Sequence, residues 1–175
     1  MHTKGETVMA TLNLFHGSRE VVSEIHARED RGFFSFGGIF ASADRFAAES
    51  HGDNLHMIEV DDQEVANNSD LWYTWNSVPA ERRAMIKAIK SETNAKTKAQ
   101  VERVFELAAD DVNPEDADWN LYKNADCFAS ASWGNQRIRG AIAKAVGFRA
   151  VEMDDEHGIS YLVIGGVGTK ISEAE

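Results

Sequence analysis

The chain has 175 residues, 43% of them apolar, and a net charge of −11: enough apolar chain for one domain with its own core, and too acidic for a sequence-independent grip on a nucleic-acid backbone, which needs clustered Lys and Arg. No apolar run reaches the ~18 residues of a membrane span, the opening MHTKGETVMATLNLF lacks the basic and long apolar stretches of a secretion signal, and a lone Cys127 excludes an internal disulfide framework and a multi-cysteine zinc site. These features fit a cytoplasmic protein with no membrane, metal or direct nucleic-acid contact; the acidic balance also suits docking on a basic surface, where attraction speeds encounter.

The first element is Ala10 to Phe15, a loosely alternating strand that runs into the turn His16-Gly17-Ser18. VVSEIHARED reads as a short helix or irregular turn, and RGFFSFGGIFAS is aromatic and glycine-rich, with Gly37-Gly38 letting the backbone bend or approach something closely. SADRFAAESHG reads as a short helix with Ser42 as its cap, Phe46 and Ala47 facing inward and Gly52 ending it. NLHMIEV alternates at period two and is a strand.

From roughly residue 61 to 132 the chain turns polar and helical. Pro79 opens a helix with apolar positions at Met85, Ile86 and Ile89. A second follows with Val101, Val104, Phe105 and Ala108, and a third short one with Asn113 as cap and Pro114 in its first turn. NQRIRGAIAKAVG is the strongest helix, with Ile138, Ala141, Ile142, Ala145 and Val146 as its apolar stripe and Gly147 as its stop. Two apolar runs, Phe148–Val151 and Ile159–Ile164, then flank an acidic hairpin. The order predicts an α+β fold: a mostly antiparallel sheet in one domain over residues 1–175, carrying a helical insertion at about 61–132.

Three groupings could carry chemistry. His16-Gly17-Ser18 ends a strand with an imidazole able to fix a hydroxyl group and a glycine that lets a ligand near the backbone; taken alone, a histidine in an ordinary turn is the commoner explanation. Phe33, Phe34, Phe36 and Phe40 offer rings that could stack on a heterocycle or simply fill the core, and Ser42 opens a helix whose N–H groups could meet a phosphate. The acidic cluster Glu152, Asp154, Asp155 and Glu156, closed by His157-Gly158, splits by alternation. Glu152 and Asp154 share one face, and Met153 and Asp155 the other. A carboxylate beyond Met153, at the mouth of an apolar sheet, needs a partner or a task, such as capping turn N–H groups.

The segments LFHGS, FGGIFASADRFAAESHG and GFRAVEMDDEHGISYLVI resemble the ADP-ribosyltransferase fold, and more closely the phage type I-F anti-CRISPR ADP-ribosyltransferases. The similarity covers about residues 12–60 and 137–164, with VEMDDEHG its most specific block; the middle is longer here than in those relatives. What the resemblance implies is a split sheet and an NAD-dependent transfer of ADP-ribose to a host protein, a subunit of the CRISPR surveillance complex. It places Asp155 and His16 in catalysis, and His16, Gly17, Ser18, Gly38, Phe40, Ser42, Phe46 and Asp155 around NAD. The acid is an aspartate where most such enzymes carry glutamate. Glu152 would stay solvated and Glu156 orient the substrate or shape the turn, with Asp154 open. Two other readings stand beside this one: an acidic, non-enzymatic nucleic-acid mimic, and an NAD glycohydrolase in which water replaces the protein acceptor. The sequence leaves the acceptor and the oligomeric state open.

Overall fold

The computed structural model describes residues 10–25, 36–155, 158–165 and 169–174, with Asp155 described by its backbone. Phe33, Phe34, Glu156 and His157 lie outside the described residues.

In chain order the elements are β1 (Thr11–Ser18), β2 (Gly38–Ser42), α1 (Arg45–Glu49), β3 (Asn54–Asp61), β4 (Val65–Ala66), α2 (Asn68–Ser77), α3 (Pro79–Glu92), α4 (Lys98–Asp110), α5 (Phe128–Ala145), β5 (Ala150–Asp155), β6 (Gly158–Ile164) and β7 (Ile171–Glu173). Short 3-10 turns occupy Asp62–Glu64 and Asp116–Leu121. The seven strands form one sheet in the order β4-β5-β6-β2-β1-β3-β7, and only β4 and β5 run parallel. The fold is α+β with a mostly antiparallel sheet, as the alternation and helical stripes predict.

Local chemistry explains the boundaries. β1 does not stop at Phe15: its register with β3 continues from Thr11↔Asp61 through His16↔His56 to Ser18↔Asn54, so His-Gly-Ser is strand rather than turn. The cap of α1 is Asp44, whose carboxylate accepts from the Phe46 N–H at 2.9 Å. Ser42 ends β2 instead, and its hydroxyl accepts from the Asp44 N–H. Ala48 is buried against β1, while Phe46 is 81% exposed rather than turned inward. α2 opens on a reciprocal Asn67–Asp70 capping box and α4 on Thr97–Gln100.

The third helical segment is the 3-10 turn from Asp116, opened by Glu115. Asn113 is not its cap; its side-chain oxygen accepts from the Ser132 hydroxyl. α5 begins seven residues before the predicted start, at Phe128, where the Ser130 hydroxyl accepts from the Asp126 and Cys127 N–H groups. Its buried side also differs. Ile138 and Ile142 are buried as expected, but Ala145 is exposed, and Arg139 takes a place in the interior.

One core lies between helices α2–α5 and the strands β5 and β6, with Leu71, Phe105, Ile138, Ile142, Met153 and Leu162 inside it. A smaller core joins Leu14, Ile25, Ala41, Ile58, Val60, Ala150 and Val163. No described helix is long and apolar enough to cross a membrane.

Candidate active site at the split in the sheet

β1 and β2 are neighbours that barely pair. β1 matches β3 along its whole length, and β2 matches β6 from Gly38↔Ile164 to Ser42↔Ser160. Between β1 and β2 the register is the single pair Phe15↔Ser42. The sheet is thus two ladders, β7-β3-β1 and β2-β6-β5-β4, joined at one residue pair. Beyond that pair, a side chain replaces the missing backbone bond: His16 Nδ1 lies 2.7 Å from the Phe40 carbonyl oxygen.

That bond fixes the imidazole. A carbonyl oxygen only accepts, so Nδ1 carries the hydrogen and, in the neutral ring, Nε2 is left as an acceptor. Burial holds the His16 pKa below its ordinary value, against the Phe40 bond, with His56 and His51 adding to the lowering. The ring is therefore neutral near pH 7, able to take a hydrogen bond from a ribose hydroxyl.

His56 stands beside it on β3, with ring centroids 6.3 Å apart. It is fully buried. Its Nε2 accepts from the Val22 N–H at 3.2 Å and lies 3.3 Å from the Ser18 hydroxyl. Its Nδ1 finds no partner among the described residues. The alternation of His56 with Ile58 and Val60 was the sequence signal that this histidine faces inward.

Gly17 and Gly52 have an internal use. A Cβ on Gly17 would fall 1.9 Å from the Ala48 carbonyl oxygen, and one on Gly52 would fall 2.2 Å from the Ser18 carbonyl carbon. Two glycines let α1 and its following turn lie directly on β1. Gly38 likewise lets β2 approach the Val163 carbonyl, which a Cβ would meet at 2.1 Å. Phe40 is half-buried and meets Phe36 edge to face, with centroids 4.9 Å apart. His16, Gly17, Ser18, Phe40 and Ser42 therefore gather where the two ladders meet, with Phe46 on the exposed face of the adjoining α1. The backbone of Asp155 ends β5, paired with Gly158, and β6 and β2 stand between it and β1.

The acidic strand also borders a cavity of about 270 Å³, lined by Asn67, Asn68, Ser69, Asp111, Arg139, Glu152, Met153, Asp154 and Ile159. None of the residues gathered at the split lines it. Arg139, only 1% exposed, donates from Nε to the Glu152 carbonyl at 2.7 Å. Nη1 donates to the Ala108 and Ala109 carbonyls and Nη2 to Asn68 Oδ1. Asp111 Oδ2 accepts from the Asp154 N–H at 2.6 Å. Burial pushes the Asp111 carboxyl up, opposed by that N–H and by Arg139, with Asp154 adding to the rise. Glu152 is raised by burial too, opposed by Arg139. Contrary to the expectation for Glu152, it is half-buried rather than fully solvated. Among the described residues no group of three or more His, Cys, Asp or Glu side chains could hold a metal.

A split, mostly antiparallel sheet with helices packed on one half is an ADP-ribosyltransferase-like fold. Residues 12–174 match the family described as Anti-CRISPR Type I-F ADP-ribosyltransferase AcrIF11, and the chain belongs to that family. It is also similar to a solved structure described as the crystal structure of an anti-CRISPR protein. The TM-score is 0.64 and the identity 27%, over 94% of this chain and 96% of the other. No curated protein matches.

Proposed function

We propose that this chain transfers ADP-ribose from NAD to a protein subunit of a type I CRISPR surveillance complex in the cytoplasm of the host cell, and thereby inhibits it. The observation that supports this best is the His16–Phe40 bond: it leaves a neutral imidazole whose Nε2 can accept a hydrogen bond where the two ladders of the sheet part. That arrangement fits a ribose hydroxyl. Phe40 and the exposed ring of Phe46 would take the nicotinamide side, with Gly17, Ser18, Gly38 and Ser42 around the rest of the dinucleotide.

Loss of nicotinamide leaves positive charge on the ribose, and Asp155 would stabilise that charge as a carboxylate while the acceptor attacks. Neutral His16 would hold the ribose in place without adding a like charge.

The acidic run after α4 fits this reading better than a nucleic-acid mimic. Asp118 accepts from Nε and Nη2 of Arg103 at 3.0 and 2.8 Å. Asp110 accepts from the Trp72 indole, and Asp111 from the Asp154 N–H. Three of those carboxylates are thus committed within the chain.

Intact-mass spectrometry of CRISPR complex subunits, incubated with this protein and NAD, tests the proposal. The expected result is a mass gain of one ADP-ribose on one subunit. Free ADP-ribose with no protein adduct would indicate a glycohydrolase instead, and stoichiometric inhibition without NAD would indicate a binder.

A further inference from the structure

We propose that Asp111 and Arg139 are positioning residues for the end of β5, and through it for Asp155. This rests on the reading of Asp155 as the acid that faces the ribose.

β5 loses its outer neighbour before it ends. β4 covers it only as far as Ala66↔Val151. From Glu152 onward no strand among the described residues lies beside the outer edge, and two side chains take the strand's place. Arg139 Nε donates to the Glu152 carbonyl, and Asp111 Oδ2 accepts from the Asp154 N–H. These are the outward-pointing groups that a longer β4 would have bound. The inner edge is held by β6 through Met153↔Ser160 and Asp155↔Gly158. The residues leading to Asp155 are thus gripped alternately from both sides.

Both clamps are anchored in one place, the C-terminal end of α4. The Ala108 and Ala109 carbonyls there accept from Arg139 Nη1 at 2.7 Å each. Such carbonyls carry the negative end of the helix dipole and favour a cation. Asp111 is the next residue but one, held in the left-handed region at φ 54° as the helix cap. Asn68 Oδ1 at the start of α2 takes the remaining branch of the guanidinium at 2.6 Å. A cavity borders this edge, so on the outer side the two side-chain bonds take the place of a neighbouring strand.

Asp111 allows a clean test because its backbone favours other residues too. Glycine suits φ 54° and removes the acceptor; asparagine tolerates it and keeps an acceptor oxygen. The experiment compares wild type, Asp111→Gly and Asp111→Asn by NMR-detected exchange of the Asp154 amide hydrogen and by steady-state release of nicotinamide from NAD. In Asp111→Gly, exchange at Asp154 and the loss of kcat are each expected at about 10- to 100-fold, with KM for NAD unchanged, because a small misplacement of a reacting group carries a cost of that order. Asp111→Asn restores both. Unchanged Asp154 exchange in Asp111→Gly overturns the proposal, and so does an equal loss of kcat in the glycine and asparagine variants. If wild type releases no nicotinamide, the reading of Asp155 fails instead, and Asp154 exchange alone decides whether the clamp holds the strand.

Discussion

The imidazole of His16 reaches across the gap between β1 and β2 and donates from Nδ1 to the Phe40 carbonyl, while their backbones pair only at Phe15↔Ser42. One side chain therefore both ties the two ladders and presents an acceptor to whatever enters between them. Replacing it tests the two roles together. In His16→Ala the kcat/KM for NAD is expected to fall by about 100-fold, the order seen when one positioned hydrogen-bonding group is lost from an active site. The lost hydrogen bond is also expected to lower stability by about 1 kcal/mol, measured by urea unfolding. A variant with wild-type turnover would remove His16 from the site.

The same histidine gives a pH dependence of known sign. Its pKa is depressed in the folded state by burial, so below its ordinary value of about 6.5 the unfolded chain binds the proton more readily. Stability is then expected to rise with pH between the depressed folded value and about 6.5, and to be fully present above that. Asp111 and Glu152 act oppositely, since their folded values are raised: the folded state holds their protons longer, and stability falls as pH rises through that lower window. Urea unfolding across pH, compared with His16→Gln, isolates the histidine; an unchanged slope in the variant would contradict the assignment.

Gly17 was legible as a position needing no side chain, but the reason lay out of reach of the sequence. The neighbour that forbids a Cβ is the Ala48 carbonyl, thirty-one residues on and 1.9 Å from where a Cβ would sit. Because that neighbour is backbone, it cannot yield cheaply. Gly17→Ala is expected to cost about 1–3 kcal/mol, the range for overpacking, lowering Tm by about 2–4 °C for each kcal/mol in a chain of this size. Thermal melts check this directly, and a Tm equal to wild type would mean that α1 does not rest on β1 as described.

What the sequence made readable follows one rule. Where the signal is a local period, it survived: the strand Asn54–Val60, the stripe of Val101, Val104, Phe105 and Ala108, and the β5–β6 hairpin around Met153 are all placed as their periods require. Where the outcome depends on distant partners, it did not. The start of α5 is polar and small-residue rich, and Ser130 stabilises it through its own turn. β7 is three residues long and exists because β3 offers it an edge. Arg139 sits one residue beyond Ile138 in an apolar stripe, which hints at burial, yet its acceptors lie thirteen, thirty, thirty-one and seventy-one residues away.

Phe46 separates a ligand role from a structural one. It was expected to face inward, and α1 turns it outward instead, 81% exposed, with Ala48 on the buried side. An exposed ring contributes little to the core, so Phe46→Ser is expected to change stability by no more than about 0.5 kcal/mol. If the ring stacks on the nicotinamide side of NAD, the same variant raises KM for NAD by about fivefold or more, in line with ~1 kcal/mol of lost stacking. Unchanged KM in a stable variant would strike Phe46 from the site.

Arg139→Met gives the largest effect expected in the molecule. Methionine fills much of the space but leaves the Glu152, Ala108 and Ala109 carbonyls and the Asn68 side chain without their donor. It also leaves Asp111 without its nearby cation. Each buried acceptor left without its donor costs about 1–3 kcal/mol. Arg139→Lys keeps the charge but cannot fork to four acceptors, so it should recover only part of the loss. Urea midpoints ordered wild type, lysine, methionine are expected, with the m-value unchanged; a methionine variant as stable as wild type would show that the guanidinium is tolerated there rather than needed.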